Sequence, residues 1–233
     1  MKNLYYFWAS LNNMTLSEEN YLKAIYSLQK EYPSGVSTNA IAEHLETKPA
    51  SATDMIKKLN DKKLVHYKPY QGVLLNEQGK GHALKIIRKH RLWETFLVEK
   101  LNFGWDEVHE VAEELEHIKS EKLIQEIDKF LGFPKTDPHG DPIPDKDGEI
   151  TTIKKKTLAS FSKDEHGICV GVNDSSASFL QYLHKNDITL GKEITVTGIE
   201  EFDESMHILV NGTPLTISNF TAKNVYLKQM GIE

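Results

Sequence analysis

The chain has 233 residues, of which 39% are hydrophobic and 27% charged, a composition typical of a globular protein with one to three domains. Its one cysteine, Cys169, excludes an intrachain disulfide framework, which favours a cytoplasmic location. The apolar runs are shorter than the roughly 20 residues of a membrane span, so no membrane partner is expected. The net charge of −6 at first argues against nucleic acid as a partner.

The charge is unevenly distributed along the chain. Residues 48–91 contain eleven Lys and Arg against three Asp and Glu, a net charge of +8. Residues 92–150 contain six Lys against sixteen acids, a net charge of −10. A basic block followed by an acidic block predicts two separate binding functions.

The first elements are predicted from apolar spacing and capping residues. Residues 1–14 are interpreted as an N-terminal extension, with a hydrophobic arm packed on the body as the alternative. A helix follows in "LSEENYLKAIYSLQKEY", where Thr15 and Glu18 are spaced as a capping box. Ser37 is the predicted N-cap of a short helix, and Pro49 lies in the first turn of a third. Two β-prone runs around "PYQG" then predict a hairpin.

This order of elements predicts a winged helix-turn-helix over residues 15–80. The second helix of such a pair enters the major groove of double-stranded DNA, where small polar side chains allow close approach. A winged helix used only for protein contacts is the alternative, which the +8 block disfavours. The candidate DNA-binding residues are Lys48, Ser51, Thr53, Asp54 and Lys68.

Three further helices are predicted over residues 81–135, with Asp106 and Ser120 as N-caps of the second and third. Their apolar stripes suit a helical domain, and the long first helix suits a dimer interface. Residues 136–151 are rich in Pro, Gly and Asp and are interpreted as a linker. Short β-prone runs over residues 152–233 predict a small SH3-like β-barrel. The predicted fold class is therefore mainly α with β.

Histidines and carboxylates recur at helical spacing in the acidic block. His109, Glu113, Glu116 and His117 stand at i, i+4, i+7 and i+8, which places them within about a third of the helix circumference. His90 and Glu94 repeat the pattern at i, i+4. A solvated acidic helix face with incidental histidines is the alternative interpretation. If these imidazoles and carboxylates converge, they would instead form metal sites with nitrogen and oxygen ligands.

Five motifs carry a family resemblance: "SEENYLKAIYSL", "IAEHLETKPASATDMIKKL", "RKHRLWETFL", "VHEVAEELEH" and "PHGDPIPD". Together they resemble the metal-dependent repressors of the diphtheria-toxin-repressor and manganese-transport-regulator family, from about residue 15 to the end. The resemblance implies a DNA-binding winged helix, a helical metal-binding and dimerisation domain, and an SH3-like C-terminal domain (FeoA-like). It also implies a homodimer that represses metal-uptake genes when metal is abundant.

The resemblance implies roles for individual residues. Glu113, Glu116 and His117 correspond to the primary, activating metal site, and Asn20 to its ligand on the first helix. Iron-responsive members of the family have Cys where this chain has Glu113. Members of the family have Met or Asp where this chain has Asn20. The ancillary site corresponds to His90, Glu94 and His109. Oxygen and nitrogen ligands suit Mn²⁺, or alternatively Fe²⁺.

Two other functions compete with a metal-sensing repressor. One is a di-iron carboxylate enzyme, because Glu114 and His117 form one Glu-x-x-His pair, but the chain offers no second pair on a comparable long helix. The zinc-protease motif HExxH is also missing, so the chain is predicted not to be an enzyme. The other is a metal-independent DNA-binding regulator. Cys169 is interpreted as a buried hydrophobe, and the remaining histidines, His139 among them, as surface or core residues.

Overall fold

A computed structural model describes residues 14–151 and 153–230, so residues 1–13 of the predicted extension lie outside the described residues. The chain divides into two compact units. Among the described residues, the first unit contains residues 14–89, 116–119 and 144–148, and the second contains residues 90–115, 120–143, 149–151 and 153–230. Met14 is 8% exposed and packs in the core of the first unit, although the sequence assigned it to the extension.

The first unit begins with three helices: α1 (Leu16–Leu28), α2 (Thr38–His44) and α3 (Pro49–Asp61). The predicted capping box is present, because the Thr15 side chain accepts from the Glu18 backbone and the Glu18 carboxylate accepts from the Thr15 backbone. Ser37 caps α2 as predicted, and Pro49 occupies the first turn of α3. The three helices pack around fully buried aliphatic side chains, among them Leu22, Ile25, Ile41, Ile56 and Leu59.

A two-stranded wing completes the helix-turn-helix. Strands β1 (Val65–Lys68) and β2 (Gly72–Leu75) pair antiparallel, and Val36 forms an isolated bridge to Val73. Tyr70, at the tip, has a positive φ of 64° and projects fully into solvent. The predicted winged helix-turn-helix is confirmed.

Three helices follow: α4 (Glu77–Leu101), α5 (Val108–Leu115) and α6 (Glu121–Phe130). The division between the two units falls within α4, after residue 89. Ser120 caps α6 as predicted. The prediction that Asp106 caps α5 is wrong, because α5 begins at Val108 and the Asp106 carboxylate instead accepts a hydrogen bond from the Gln181 amide at 2.9 Å.

The segment interpreted as a linker is packed in its first half. Asp137 is 4% exposed, His139 5% and Ile143 5%. Asp137 Oδ1 accepts from the backbone N–H groups of His139 and Asp141, each at 2.9 Å, so this carboxylate shapes the loop.

The C-terminal domain contains one antiparallel sheet in the order β3-β8-β4-β5-β6-β7. Its elements are β3 (Lys156–Thr157), a 3₁₀ turn (Leu158–Ser160), β4 (His166–Val172), α7 (Ala177–Lys185), β5 (Glu193–Ile199), β6 (Met206–Val210), β7 (Thr213–Ile217), α8 (Asn219–Asn224) and β8 (Val225–Gln229). The register shifts in β4 and in β5, and such bulges bend strands. Cys169 is 1% exposed within this core, as predicted.

None of the helices within residues 14–151 and 153–230 combines the length and apolarity needed to cross a lipid bilayer.

Candidate metal centres

Helices α4 and α5 bring three of the predicted ligands together in the second unit. His90 and Glu94, one turn apart on α4, are 7% and 2% exposed. His90 Nε2 lies 2.9 Å from Glu94 Oε1, and His109 Nδ1 on α5 lies 3.4 Å from the same oxygen. The structure therefore brings these three side chains to one point, and their role as metal ligands stays a prediction.

The loop after α6 adds two residues that the sequence analysis did not select. His139 Nδ1 lies 3.7 Å from Glu94 Oε1, and Asp137 belongs to the same group of potential ligand atoms. His139 Nε2 donates to the backbone carbonyl of Trp105 at 2.7 Å. Since that hydrogen bond occupies Nε2, Nδ1 is the nitrogen that can hold a metal, and the carbonyl fixes the ring orientation. We call His90, Glu94, His109, Asp137 and His139 the Glu94 cluster.

The C-terminal barrel holds this loop in place. The Val172 backbone N–H donates to the His139 carbonyl at 3.0 Å. Gly140 has φ of +81°, and a Cβ at this position would come 2.0 Å from the Val170 carbonyl oxygen. Only glycine accepts both the conformation and the contact, so the loop and the barrel strand fit each other closely at this point.

Burial and charge shift the protonation of the Glu94 cluster. Burial alone raises the pKa of Glu94, but hydrogen bonds from the three histidines hold that pKa well below its usual range. Burial and the charge of Glu94 raise the pKa of Asp137 to about 7. Burial alone lowers the pKa of His139, but the Glu94 carboxylate more than offsets it and raises that pKa to about 9. The buried negative charge thus resides on Glu94, and the neighbouring Asp137 and His139 hold their protons more tightly than free side chains do.

The ligand atoms of the Glu94 cluster fit a divalent metal. Two groups of three, His90–Glu94–His109 and Glu94–Asp137–His139, each place their ligand atoms within 4.8 Å of one another. Glu94 belongs to both groups. Imidazole and carboxylate ligands suit Mn²⁺, Fe²⁺ and Zn²⁺, and a metal entering here would replace protons as the positive charge beside Glu94.

A second cluster lies in the first unit and contains Glu19, Lys23, Glu116 and His117, which we call the Glu116 cluster. Glu116 is 1% exposed, and its Oε2 accepts from the Lys23 ammonium at 2.7 Å. His117 Nδ1 donates to Glu19 Oε2 at 2.6 Å, which leaves Nε2 3.8 Å from Glu116 Oε1. A carboxylate on one imidazole nitrogen and a potential metal position at the other is a common arrangement of metal-binding histidines.

The other predicted ligands occupy different positions. Glu113 belongs to the second unit, where its Oε1 lies 3.6 Å from His109 Nε2 and its side chain is 55% exposed. Asn20 is exposed on α1. The preceding residue, Glu19, is the one that contacts His117. The assignments of Glu113 and Asn20 to a primary site stay predictions.

The predicted DNA-binding residues lie on the winged helix-turn-helix. Lys48, Ser51 and Asp54 are exposed at the start of α3, and Lys68 is exposed at the end of β1. The Thr53 hydroxyl donates to the Pro49 carbonyl at 2.9 Å, which ties that hydroxyl to its own helix.

Two partly exposed lysines of the basic block pair with a buried carboxylate. The Glu18 side chain is fully buried, with its Oε1 2.6 Å from the Lys62 ammonium and 3.1 Å from that of Lys58. Although burial opposes ionisation, these lysines and the Thr15 backbone lower the pKa of Glu18 to about 2. Residues 48–91 therefore offer less positive charge to a partner than their sequence count indicates.

Sequence reasoning missed Glu19, Asp137 and His139. Asp137 and His139 come from a loop, where no periodicity relates them to α4, although "PHGDPIPD" was among the motifs of the resemblance. Glu19 adjoins Asn20, and 100° of helix rotation separates the two side chains. A search for carboxylates one position either side of Asn20 would have found Glu19.

The sequence matches three family descriptions in chain order. Residues 13–73 match "Iron dependent repressor, N-terminal DNA binding domain", residues 76–145 match "Iron dependent repressor, metal binding and dimerisation domain", and residues 156–229 match "FeoA domain". The FeoA match agrees with the SH3-like fold of the C-terminal domain.

Several proteins resemble the chain over much of its length. A structure titled manganese-dependent transcriptional repressor complex with manganese superposes with a TM-score of 0.82 at 33% identity, covering 91% of this chain and 100% of that one. An HTH-type transcriptional regulator of Methanocaldococcus jannaschii is 37% identical over 118 residues, 51% of this chain and 94% of the relative. The iron-dependent repressor IdeR of Mycobacterium bovis is 32% identical over 134 residues, 58% of each chain.

A winged helix, a helical domain with histidine and carboxylate clusters and an SH3-like domain define a metal-dependent transcriptional repressor. The chain belongs to the diphtheria-toxin-repressor family, which includes the manganese-dependent repressors.

Proposed function

We propose that this repressor responds to Mn²⁺ in preference to Fe²⁺ and controls genes for metal uptake. The observation that carries the proposal is the chemistry of the candidate ligands. Both clusters offer nitrogen and oxygen, while the chain's one thiol, Cys169, is buried in the barrel core. Carboxylate and imidazole ligands suit Mn²⁺, and a thiolate would favour softer ions.

The proposed activating site consists of Glu113, Glu116 and His117 with Asn20 from α1. Glu116 and His117 have the contacts that support this role, because Nε2 of the imidazole is directed toward the carboxylate. Glu19 is proposed as the positioning residue that holds the His117 ring through its other nitrogen.

The proposed ancillary site is the Glu94 cluster. His90, Glu94 and His109 were its predicted ligands, and their distances support that role. His139 is proposed as a further ligand through Nδ1, since its Nε2 is held by the Trp105 carbonyl. Asp137 can join once its proton leaves, because its pKa of about 7 lies near neutral pH.

Activation is proposed to depend on geometry more than on affinity. Zn²⁺ binds most nitrogen-and-oxygen sites more tightly than Mn²⁺, by the Irving–Williams order. A tetrahedral ion is satisfied by few ligands, however, whereas a six-coordinate ion also recruits a ligand from α1. Zn²⁺ is therefore expected to bind without full activation.

DNA is proposed to bind at α3 and the wing, through Lys48, Ser51, Thr53, Asp54 and Lys68. Helix α1 connects this surface with the Glu116 cluster inside the first unit. Glu18 holds Lys58 and Lys62 at the end of α3, and the adjacent Glu19 holds His117. A rearrangement around His117 can thus reach α3 through two neighbouring residues of α1, because Glu19 contacts His117 and Glu18 contacts Lys58 and Lys62.

The repressor is proposed to act as a homodimer through an apolar face of the second unit. Phe130 is 65% exposed and Leu123 39% exposed on α6, beside Trp93 and Phe96 of α4 and Ile127. A contiguous apolar patch of this kind marks an association surface.

Operator affinity measured against each metal tests the proposed function. A duplex selected from a random pool by the Mn²⁺-loaded protein would be titrated under anaerobic conditions with Mn²⁺, Fe²⁺, Zn²⁺ or chelator. We expect tight binding with Mn²⁺, weaker binding with Fe²⁺ and incomplete activation by Zn²⁺. Equal affinity in chelator would identify a metal-independent regulator, and a response to Fe²⁺ alone would overturn the metal preference.

A further inference from the structure

We propose that Lys23 is a built-in competitor of the metal at Glu116, so that this lysine sets the metal concentration at which the protein responds. The inference rests on the proposed function, because it assigns a role to a neighbour of the proposed activating site. Lys23 supplies no ligand atom to a metal, since an ammonium has no lone pair to donate.

The geometry places the Lys23 charge where a metal would need the carboxylate. Lys23 Nζ lies 2.7 Å from Glu116 Oε2, a short, charge-assisted hydrogen bond. The side chain of Glu116 is 2% exposed and that of Lys23 is 20% exposed, so water screens the pair weakly. A carboxylate this buried requires a positive partner, and Lys23 is one.

One face of helix α1 contacts both His117 and Glu116. Glu19 and Lys23 stand at i and i+4, so their side chains lie on the same side of the helix. Glu19 contacts the imidazole of His117, and Lys23 contacts the carboxylate of Glu116. The helix therefore offers a carboxylate to the imidazole and an ammonium to the carboxylate.

A divalent ion bound between Glu116 and His117 changes this pairing. It would lie within a few ångströms of the Lys23 ammonium, and like charges at such distances in a buried site repel. The metal must therefore displace the ammonium or bind beside it at lower affinity. Either way the Lys23–Glu116 bond opposes metal binding, and its loss on metal binding alters the contacts of α1 with residues 116 and 117.

Manganese titrations of charge variants test the proposal without DNA. Mn²⁺ binding would be followed by electron paramagnetic resonance of the free ion, and the compared component is the one that Glu116→Gln removes. Lys23→Gln should tighten this component about tenfold, because a charge-assisted hydrogen bond no longer competes. Lys23→Arg should stay near the wild-type affinity, since it keeps the charge. Lys30→Gln, an exposed lysine beyond α1, controls for net charge.

The outcomes separate this proposal from the proposed function. Unchanged or weaker Mn²⁺ binding in Lys23→Gln, with the component still lost in Glu116→Gln, overturns the competitor role and leaves the metal site intact. A wild-type protein without that component overturns both.

A measurement on the wild type covers the case in which Lys23→Gln does not fold. Lysine acylation would be mapped by mass spectrometry with and without saturating Mn²⁺. Displacement from Glu116 predicts that labelling of Lys23 rises several-fold with Mn²⁺ while labelling of Lys30 stays constant. Unchanged or reduced labelling of Lys23 in the Mn²⁺-loaded protein overturns the proposal.

Discussion

The Glu94 cluster and the Glu116 cluster have similar ligand chemistry and different internal order. In the Glu94 cluster three imidazoles surround one buried carboxylate, and a backbone carbonyl fixes the ring of His139. In the Glu116 cluster a lysine bonds the buried carboxylate that we propose as a metal ligand. On this proposal the first arrangement is already ordered for a metal, whereas the second must exchange partners. A site that exchanges partners is the better sensor because binding changes its contacts.

The sharpest test of this contrast removes one histidine from each cluster. His117→Ala should weaken Mn²⁺-dependent operator binding more than about 100-fold, since losing a ligand exceeds the effect of losing an outer contact. His90→Ala should weaken it about tenfold, because His109 and His139 remain beside Glu94. Fluorescence anisotropy with labelled operator measures both, and sedimentation verifies that each variant stays folded and dimeric. Equal losses of operator affinity in the two variants would show that the Glu116 cluster is not the activating site with the Glu94 cluster as an ancillary one.

A second test removes the shared carboxylate. Glu94→Gln, measured in chelator, should lower the free energy of unfolding by about 3 kcal/mol, because it leaves the buried cationic side of the cluster without its counter-charge. Chemical denaturation gives the value. The exposed Glu99→Gln on the same helix is the control and should change it little. If Glu94→Gln lowered the free energy of unfolding no more than Glu99→Gln does, the Glu94 carboxylate would not be the counter-charge of this cluster.

A third test concerns the link from the Glu116 cluster to the DNA-binding helix. The pKa of Glu18 falls to about 2 from an ordinary 4.5, so its ion pairs stabilise the fold fully above pH 4.5. That stabilisation, about 2 kcal/mol after allowance for the partial exposure of both lysines, disappears as the pH falls from 4.5 towards 2.

Unfolding of wild type and Glu18→Gln across this pH range measures the Glu18 contribution. The two stability curves should converge at low pH, while Glu31→Gln, exposed beyond α1, should follow the wild type throughout. A constant gap between wild type and Glu18→Gln would mean that packing of the side chain, and not its charge, stabilises α1 against α3.

A fourth test examines proton release at the Glu94 cluster. His139 is protonated below its pKa of about 9, so a metal that takes Nδ1 must expel a proton at neutral pH, and affinity should rise with pH up to that value. Calorimetry in buffers of different ionisation enthalpy counts the protons. His139→Gln should release about one fewer proton per metal bound. The same count in both proteins would remove His139 from the ligand set.

The smallest expected effect, a change in salt dependence, separates a lysine that contacts DNA from one that is paired with Glu18. Lys48→Ala should reduce the slope of log K against log salt by about one, as expected for one lost phosphate contact. Lys58→Ala should leave the slope nearly unchanged, since its ammonium lies 3.1 Å from Glu18. Anisotropy titrations at several salt concentrations measure both. An equal change in slope for Lys58→Ala would place that lysine on the DNA.

These contrasts also show what the sequence predicts and where it stops. Periodicity and capping residues predicted the winged helix, the helices and the β-rich C-terminal domain, because their signals are local. Helical spacing singled out His90 and Glu94 on one helix and His109 on another, and the family resemblance grouped the three residues. His139 is brought to Glu94 by a loop whose path depends on a single glycine and on a strand about thirty residues later. No local pattern encodes that contact.

Gly140 has a consequence for how such chains can be shortened or rearranged. The loop that presents His139 is seated against Val170 and Val172 of the barrel. A chain that ended before the barrel would keep the helices carrying His90, Glu94 and His109 but lose the scaffold for the third imidazole, that of His139. The C-terminal domain is thus a structural prerequisite of the proposed ligand set that includes His139, and recombination that exchanges this domain must preserve the strand that contacts Gly140. The close backbone contact between Gly140 and Val170 therefore limits how freely this domain can be exchanged.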